Sequence, residues 1–306
     1  MTIGKHLSEY GGLPVFDFAR EEERPEAGAA AWRVATKFDG EHFDEVFARF
    51  LREVDTTRVT ALLIGYWGAS YDSGPADPVK SLVAAADQFP ALRSLFLGEI
   101  VFREAEISWI EHSSGVTQLL EAFPLLERFE VRGGTHLDLD SFESTALRVL
   151  RIETGGLPSG VAWAVGRSDL PNLERLDLWL GVPDYGGDTT AADLAPILGG
   201  ERLPALRHLA LADAEIQDEI AAAVASAPVV ARLETLDLSM GALTDAGAEA
   251  LLSGQPLTHL KKLDLSHHYL TDAMMDRLRA ALPGVDLDLS DGGDPDDDMP
   301  YVEVSE

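Results

Sequence analysis

The sequence has 306 residues, of which 46% are apolar and 25% charged, and these proportions exclude a chain that is disordered throughout. Its 53 acidic residues outnumber the 24 basic ones and give a net charge of -29, which disfavours nucleic acid as a partner. Because it has no cysteine, no apolar run of membrane-spanning length and no signal core at its start, we exclude disulfides and expect a cytoplasmic protein that does not enter a membrane.

Residues 1–58 show a strand pattern and a helix pattern but no repeat. Residues 32–36 (WRVAT) read as a strand, and five apolar residues then follow at helical spacing: Phe43, Val46, Phe47, Phe50 and Leu51. A stack of repeats exposes its core at each end unless that end is capped. We therefore predict an α+β N-terminal cap over residues 1–58, with these aromatic side chains in its core.

From Val59 onward the pattern L-x-x-L-x-L recurs. The clearest copies begin at Leu206, Leu233 and Leu260, at intervals of 27 residues. Looser copies begin at Val59, Leu92, Leu126, Leu147 and Leu173, and Leu287 with Leu289 supplies a truncated ninth. Because apolar and polar residues alternate within each copy, each is predicted to be a strand with one buried face.

Helical patterns follow the three clearest copies. They cover residues 217–224, 245–252 and 272–282, where apolar residues recur three and four positions apart. Thr244 and Thr271 precede two of them in the position of an N-cap. A short strand and a short helix cannot bury their apolar faces alone, so stacked units are predicted to form a solenoid over residues 59–290.

Residues 291–306 are predicted to form an acidic C-terminal tail. Residues 291–300 (DGGDPDDDMP) are too charged to join a core, so we expect this tail to be mobile. Tyr301, Val302 and Val304 nevertheless offer a pattern that would dock as a strand.

Residues 236–251 (LDLSMGALTDAGAEAL) and 263–272 (LDLSHHYLTD) carry a family resemblance. They resemble leucine-rich repeats of the ribonuclease-inhibitor type, strongly over residues 200–290 and more loosely from Val59 to Gly200. The resemblance implies an α/β leucine-rich-repeat solenoid: a curved right-handed β-α superhelix, with about nine strands in a parallel concave sheet and helices on the convex side.

The whole chain, with residues 6–18 (HLSEYGGLPVFDF) near its start, is also similar to an uncharacterised bacterial leucine-rich-repeat family found near radical-SAM and hydrolase-like genes. That similarity implies an accessory role. One departure from the ribonuclease-inhibitor type concerns the Asn or Cys that usually bonds each turn. Gly, Ala, Ile, Trp and His stand at those positions here. We therefore expect no side-chain ladder between turns, which glycine conformation and backbone hydrogen bonds must hold.

Residues between the leucines of each strand are expected on the concave face, because successive side chains point to opposite sides. The first strands place Leu63 and Phe96 there, near Tyr66 and Trp67, as an apolar patch that is covered either by a partner or by a loop such as residues 71–78. The middle strands interleave arginines with acids, as an ion-pair lattice or as an anion site. Trp179 stands beside them as a predicted contact anchor.

The last strands place Asp237, Asp264 and Asp288 in one row, which is either a structural form of the repeat or a site for a cation or basic group, with Lys262 as a partial internal partner. The residues predicted to bind a partner on the concave face are Phe96, Arg128, Arg151, Arg175, Asp177, Trp179, His208, Asp237 and Asp264.

No nucleophile–base, metal-ligand or phosphate-loop motif occurs, so we predict no catalytic residues, no metal and no cofactor. The favoured function is a non-enzymatic scaffold that binds a basic protein or peptide on the concave sheet. The alternative is an enzyme, or the accessory subunit of one, in a bacterial modification pathway, with its site near the irregular middle repeats between Arg128 and Asp177.

Overall fold

The computed structural model describes residues 3–20, 23–68, 76–297 and 299–305. In this part of the chain twelve strands follow one another in chain order within one sheet. The strands are β1 (Glu9–Tyr10), β2 (Leu13–Asp17), β3 (Ala31–Val34), β4 (Ala61–Ile64), β5 (Ser94–Leu97), β6 (Arg128–Arg132), β7 (Val149–Glu153), β8 (Arg175–Gly181), β9 (His208–Ala214), β10 (Thr235–Asp237), β11 (Lys262–Asp264) and β12 (Asp286–Asp288).

Eight α-helices connect these strands within the described ranges. They are α1 (Phe43–Glu53), α2 (Pro78–Ala84), α3 (Thr117–Ala122), α4 (Ser159–Arg167), α5 (Ala195–Gly199), α6 (Gln217–Val224), α7 (Asp245–Ser253) and α8 (Asp272–Ala281). None of them combines the length and the apolar character that crossing a bilayer requires.

The predicted repeat strands and helices are confirmed. Each of the nine copies of the leucine pattern forms a strand, β4 to β12, and the three helical patterns form α6, α7 and α8. Thr244 and Thr271 cap α7 and α8, since their hydroxyl oxygens accept hydrogen bonds from the backbone N–H of Ala246 and Met274, each at 3.2 Å. The α/β leucine-rich-repeat solenoid inferred from the sequence is the observed fold.

The chain divides into two compact units, residues 1–140 with 146–152, and residues 141–145 with 153–305. In the first unit, β1 pairs antiparallel with β2, and β2 to β6 pair in parallel. The parallel sheet thus extends upstream of Val59 into β2 and β3, which the leucine pattern did not indicate. Helix α1 lies where the apolar spacing placed it, with Phe43, Phe47 and Phe50 buried.

The apolar patch of the first strands is covered by the chain's own N-terminal segment, defined here as residues 6–17. Tyr10 packs on Phe96 with ring centroids 6.1 Å apart, and Leu63 and Ala61 belong to the same buried cluster. Phe96 is 1% exposed and Leu63 is fully buried. The prediction that Phe96 contacts a partner is therefore wrong, because this segment already shields it from water. The loop proposed to cover the patch, residues 71–78, lies largely outside the described residues.

A buried ion network fastens the N-terminal segment. His6 Nδ1 lies 2.9 Å from Glu99 and its Nε2 lies 3.2 Å from Glu104. Arg33 Nε donates to Glu99 at 2.6 Å, and its Nη1 donates to Asp17 at 2.8 Å. Hydrogen bonds to Glu104 and Glu99 raise the pKa of His6 to about 9, so the imidazole is cationic at neutral pH. The sequence analysis did not find this network.

In the second unit, β8 to β12 pair in parallel, and leucines on successive strands fill the core. Leu209, Leu236 and Leu263 lie in register and are 0–1% exposed. A side-chain ladder that the sequence analysis did not predict links the repeats here, at the helix N-termini rather than at the turns. Thr244 donates its hydroxyl to Asp218 at 2.6 Å, and Thr271 donates to Asp245 at 2.8 Å.

Glycine takes the left-handed φ at some strand exits, as expected: Gly98 (89°), Gly133 (106°) and Gly181 (65°). At the exits of β9, β10 and β11 the left-handed φ angles instead fall on Asp213 (57°), Met240 (67°) and His267 (56°). Residues 301–305, defined here as the C-terminal segment, dock against these turns with Val302 and Val304 buried. The docking that the sequence pattern of Tyr301, Val302 and Val304 indicated is therefore observed, although these residues form no strand.

Candidate binding face on β8 to β11

The parallel register sets one row of side chains across β8 to β11, on the sheet face opposite the leucines. Asp177 pairs with Ala210, Ala210 with Asp237, and Asp237 with Asp264. Adjacent strands are about 4.8 Å apart, so the methyl group of Ala210 leaves a gap between the carboxylates that flank it. The gap is a depression of about 160 Å³ lined by these residues together with Arg175, Thr235 and Lys262.

A local motif orients the carboxylates of this row. Asp237 Oδ1 accepts hydrogen bonds from the Ser239 backbone N–H at 3.0 Å and from its hydroxyl at 2.6 Å. Asp264 makes the same two bonds with Ser266, at 3.0 and 2.8 Å. The Leu-Asp-Leu-Ser sequence thus fixes one oxygen of each carboxylate and leaves the second available for another interaction.

The second oxygens differ between the two residues. Asp264 Oδ2 accepts from Lys262 Nζ at 2.8 Å, and the same ammonium lies 3.9 Å from Asp288. Asp237 makes no ion pair within the described ranges, and its bonds are the two from Ser239. Burial, and then repulsion from Asp264 and Asp177, raise the pKa of Asp237 against the lowering effect of Ser239. Lys262, which pairs with Asp264, acts on Asp237 only from a longer distance, so the negative charge of Asp237 is incompletely compensated.

A mainly basic column borders the acidic row. Arg175, His208, Thr235 and Lys262 lie in register, two residues before the row on each strand. His208 Nδ1 lies 2.8 Å from the Thr235 hydroxyl, and burial and Arg175 lower the pKa of the imidazole. The histidine therefore adds little positive charge at neutral pH. Arg175 approaches Asp177 only to 3.5 Å, so its guanidinium is not tightly engaged by that carboxylate.

The structure brings five of the nine predicted contact residues to this surface, which we call the open face. They are Arg175, Asp177, His208, Asp237 and Asp264. Trp179 lies on the next position of β8 but is only 5% exposed, so the prediction that it is an exposed anchor is wrong. The ring is therefore buried from solvent, and the Trp179 carbonyl accepts a hydrogen bond from the buried Thr154 hydroxyl at 2.9 Å.

The remaining predicted residues belong to the first unit. Arg128 binds Glu130 at 2.7 Å on β6, which favours the ion-pair interpretation over an anion site there. Arg151 is half-buried on β7. Phe96 is in the core.

Sequence reasoning missed the role of Ala210. Its small side chain, set between larger ones in the same column of the repeats, was the available signal for a depression. It also missed Arg33 on β3. Arg33 pairs in register with Leu63, which occupies the same position of its repeat as Ala210 does, so Arg33 stands at that position one strand earlier. In the described part of the chain, no three His, Asp or Glu side chains are grouped as metal ligands.

Comparison with known proteins gives the same fold. A leucine-rich-repeat family model matches residues 203–225, 233–252 and 257–273. A crystal structure of a Bacteroides fragilis protein is 32% identical, with a TM-score of 0.77, over 89% of this chain and 77% of that one. An internalin from Listeria monocytogenes is 15% identical over 84% of this chain and 85% of its own. Its TM-score of 0.30 is too low to support any conclusion about this chain. A search of the curated proteins gives no match.

Leucine-rich-repeat domains generally act as scaffolds for protein interactions. The identity shared with the Bacteroides fragilis protein extends over most of both chains, well beyond the three repeats that the family model matches. From its repeats, its parallel sheet and this relative, the chain belongs to the leucine-rich-repeat family.

Proposed function

We propose that the open face binds a basic protein or peptide, and that a Lys or Arg side chain of this partner enters the depression over Ala210. The observation that carries the proposal is Asp237, a half-buried carboxylate between Asp177 and Asp264 that makes no ion pair among the described residues. Folding has already removed part of the water around this carboxylate, so a guest cation gains its attraction at a lower desolvation cost.

The chain's own cations leave this position open. Lys262 is held by Asp264 and Asp288, and Arg175 reaches Asp177 rather than Asp237. A guest ammonium or guanidinium over Ala210 would have Asp177 on one side and Asp237 on the other. The net charge of -29 would also attract a basic partner from a distance and speed its association.

The size of the depression favours a side chain over a small-molecule substrate. Its volume of about 160 Å³ is smaller than the 300–1,000 Å³ typical of ligand pockets. It therefore suits one head group of a larger partner that rests on the surrounding sheet face. This geometry supports a scaffold rather than an enzyme, in keeping with the general role of the family.

A calorimetric titration tests the proposal with short peptides that carry one Arg or Lys among neutral residues. We expect Asp237→Asn to weaken binding about tenfold, and a peptide with Gln in place of the cation to bind neither protein. Asp272→Asn is the matched control, because it removes the same charge from the exposed N-terminus of α8. Equal losses for Asp237→Asn and Asp272→Asn would show non-specific attraction and contradict the proposal.

Two further resemblances suggest the biological context in which the open face would bind its partner. The ribonuclease-inhibitor type of repeat and the similarity to a family encoded near radical-SAM genes favour an accessory protein that acts in the cytoplasm on a partner from the same pathway. Co-purification from the native host, followed by identification of proteins retained by the wild type and lost with Asp237→Asn, tests this setting.

A further inference from the structure

The C-terminal segment lies across the exits of three successive strands of the second unit. It touches the same position of each repeat, the residue with left-handed φ that follows the strand core. It makes a polar contact with each of these residues: Val304 N–H to Asp213 Oδ1 at 2.9 Å, Glu303 N–H to the Met240 carbonyl at 2.8 Å, and His267 Nε2 to the Tyr301 carbonyl at 2.9 Å. The Tyr269 hydroxyl adds a contact with the Tyr301 backbone N–H at 3.0 Å.

The spacing of these contacts matches an extended peptide. Asp213, Met240 and His267 are 27 residues apart, and each donates its backbone N–H to a serine carbonyl of the next repeat. Two strand spacings of about 4.8 Å equal the length of three extended residues at about 3.3 Å each. Residues 301 to 304 cover this distance. All three contacts use only the segment's backbone N–H or carbonyl, so they do not depend on the side chains of this particular sequence.

Side chains of the segment alternate between the groove and solvent. Val302 and Val304 are 5% and 6% exposed, whereas Glu303 between them is exposed. The groove therefore selects two apolar residues separated by one of any type. Such alternation is how extended peptides are recognised when they add to a sheet or to a row of backbone groups.

The chain's own segment fills the groove incompletely. Asp213 is fully buried, yet its Oδ2 has no hydrogen-bond partner among the described residues. A buried carboxyl oxygen without a partner is unfavourable, and a peptide that supplies one more hydrogen-bonding group beside Asp213 would remedy it. The segment is joined to the sheet through the exposed residues 291–297, so it can leave the groove while the repeats stay in place.

We propose that the groove along Asp213, Met240 and His267 is a second binding site, which takes an extended partner peptide with two β-branched apolar residues one position apart. The C-terminal segment occupies this site until the partner displaces it. The proposal is independent of the open face, because it uses different residues and requires no cation.

The test uses the full chain and a fluorescent peptide of residues 299–305 (MPYVEVS). The double variant Val302→Ser with Val304→Ser weakens the chain's own occupant, so we expect it to bind the peptide about tenfold more tightly than the wild type does. A peptide with the same two serines is the control and should bind neither protein. In the wild type, excess peptide should raise the hydrogen-exchange rates of the Glu303 and Val304 amides, which requires no variant.

Two results would overturn the proposal. One is equal peptide binding by wild type and variant, with tail exchange in the wild type unchanged by excess peptide. The other is a concentration-dependent dimer of the wild type that the double variant loses in sedimentation, which would assign the groove to a second copy of the chain. Circular dichroism of the variant serves as the control that its repeats remain folded.

Discussion

At the scale of single residues, the charge of Asp237 opposes folding. Burial and two neighbouring carboxylates raise its folded-state pKa above the ordinary value of 3.8. The resulting destabilisation is present above the folded-state pKa and disappears as the pH falls below the ordinary value. A residue that is unfavourable for the free protein but useful in a complex is typical of a functional site.

Asp237→Asn should therefore stabilise the free protein at neutral pH, by about 1 kcal/mol, while it weakens binding. The amide oxygen still accepts from Ser239, so the turn is retained. Urea unfolding measures the change. Asp264→Asn is the matched control and should not stabilise, because it breaks the ion pair with Lys262. A larger loss of stability for Asp237→Asn than for Asp264→Asn would contradict the account.

His6 provides a pH-dependent contribution in the first unit. Its pKa is about 9 in the folded protein against an ordinary 6.5, so its stabilisation is complete below 6.5 and is lost as the pH rises through 9. The effect is of the order of 2 kcal/mol, since Glu99 and Glu104 hold the imidazolium.

His6→Gln should accordingly reduce stability at about pH 6 and reduce it much less above about pH 9.5. Chemical denaturation at both pH values measures the difference. Lys5→Gln removes a positive charge from the adjacent exposed residue as a control. A deficit for His6→Gln that stays constant over this range would show that the ring acts by packing alone.

At the scale of elements, the helix N-termini of the second unit are linked from repeat to repeat. Asp245 begins α7 and accepts from both the backbone N–H and the hydroxyl of Thr271, which caps α8. Asp272 begins α8 in the equivalent position and has the same residue type, but it forms no such pair with any residue that the structure describes. The chain thus supplies its own matched comparison.

Asp245→Ala should lower the free energy of unfolding by about 1–3 kcal/mol, because the Thr271 donors lose their partner. Asp272→Ala should cost clearly less. Thermal and urea unfolding of both variants test this difference, and equal costs would mean that the ladder does not stabilise the stack of repeats.

The leucine repeat predicted the elements that recur, and local apolar patterns predicted β3 and α1 in the cap. The leucine spacing located β4 to β12 and the helices α6 to α8, because stacking buries the same positions in every copy. It gave no signal for β2, a single strand with Pro14 and no copy elsewhere. The ladder was missed because Asp218 and Thr244 are 26 residues apart and pair only after the repeats have stacked.

The site was predictable where no distant segment covers the sheet. The column rule placed Asp237 and Asp264 correctly, because register is constant through β9 to β12. It failed at Phe96, which Tyr10 covers from 86 residues upstream in the sequence. Such a contact depends on the path of the chain and leaves no trace in the local pattern.

At the scale of the whole molecule, the net charge of -29 acts on both stability and binding. Carboxylates that repel one another in the compact state are screened by salt. Raising NaCl from about 0.05 M to about 0.5 M should increase the Tm of the free chain and weaken its binding of a basic peptide. Differential scanning fluorimetry and calorimetry measure the two effects, and a fall in Tm with unchanged affinity would contradict this view.

The central claim, that the Asp237 carboxylate receives a partner's cation, is tested most directly by NMR titration of the aspartate side-chain carboxyl groups, assigned with Asp237→Asn. In the free protein the pKa of Asp237 should lie above 3.8, and it should fall when an arginine-containing peptide binds, because a cation favours the ionised form. A peptide that binds and shifts other resonances while the titration of Asp237 stays unchanged would contradict the claim.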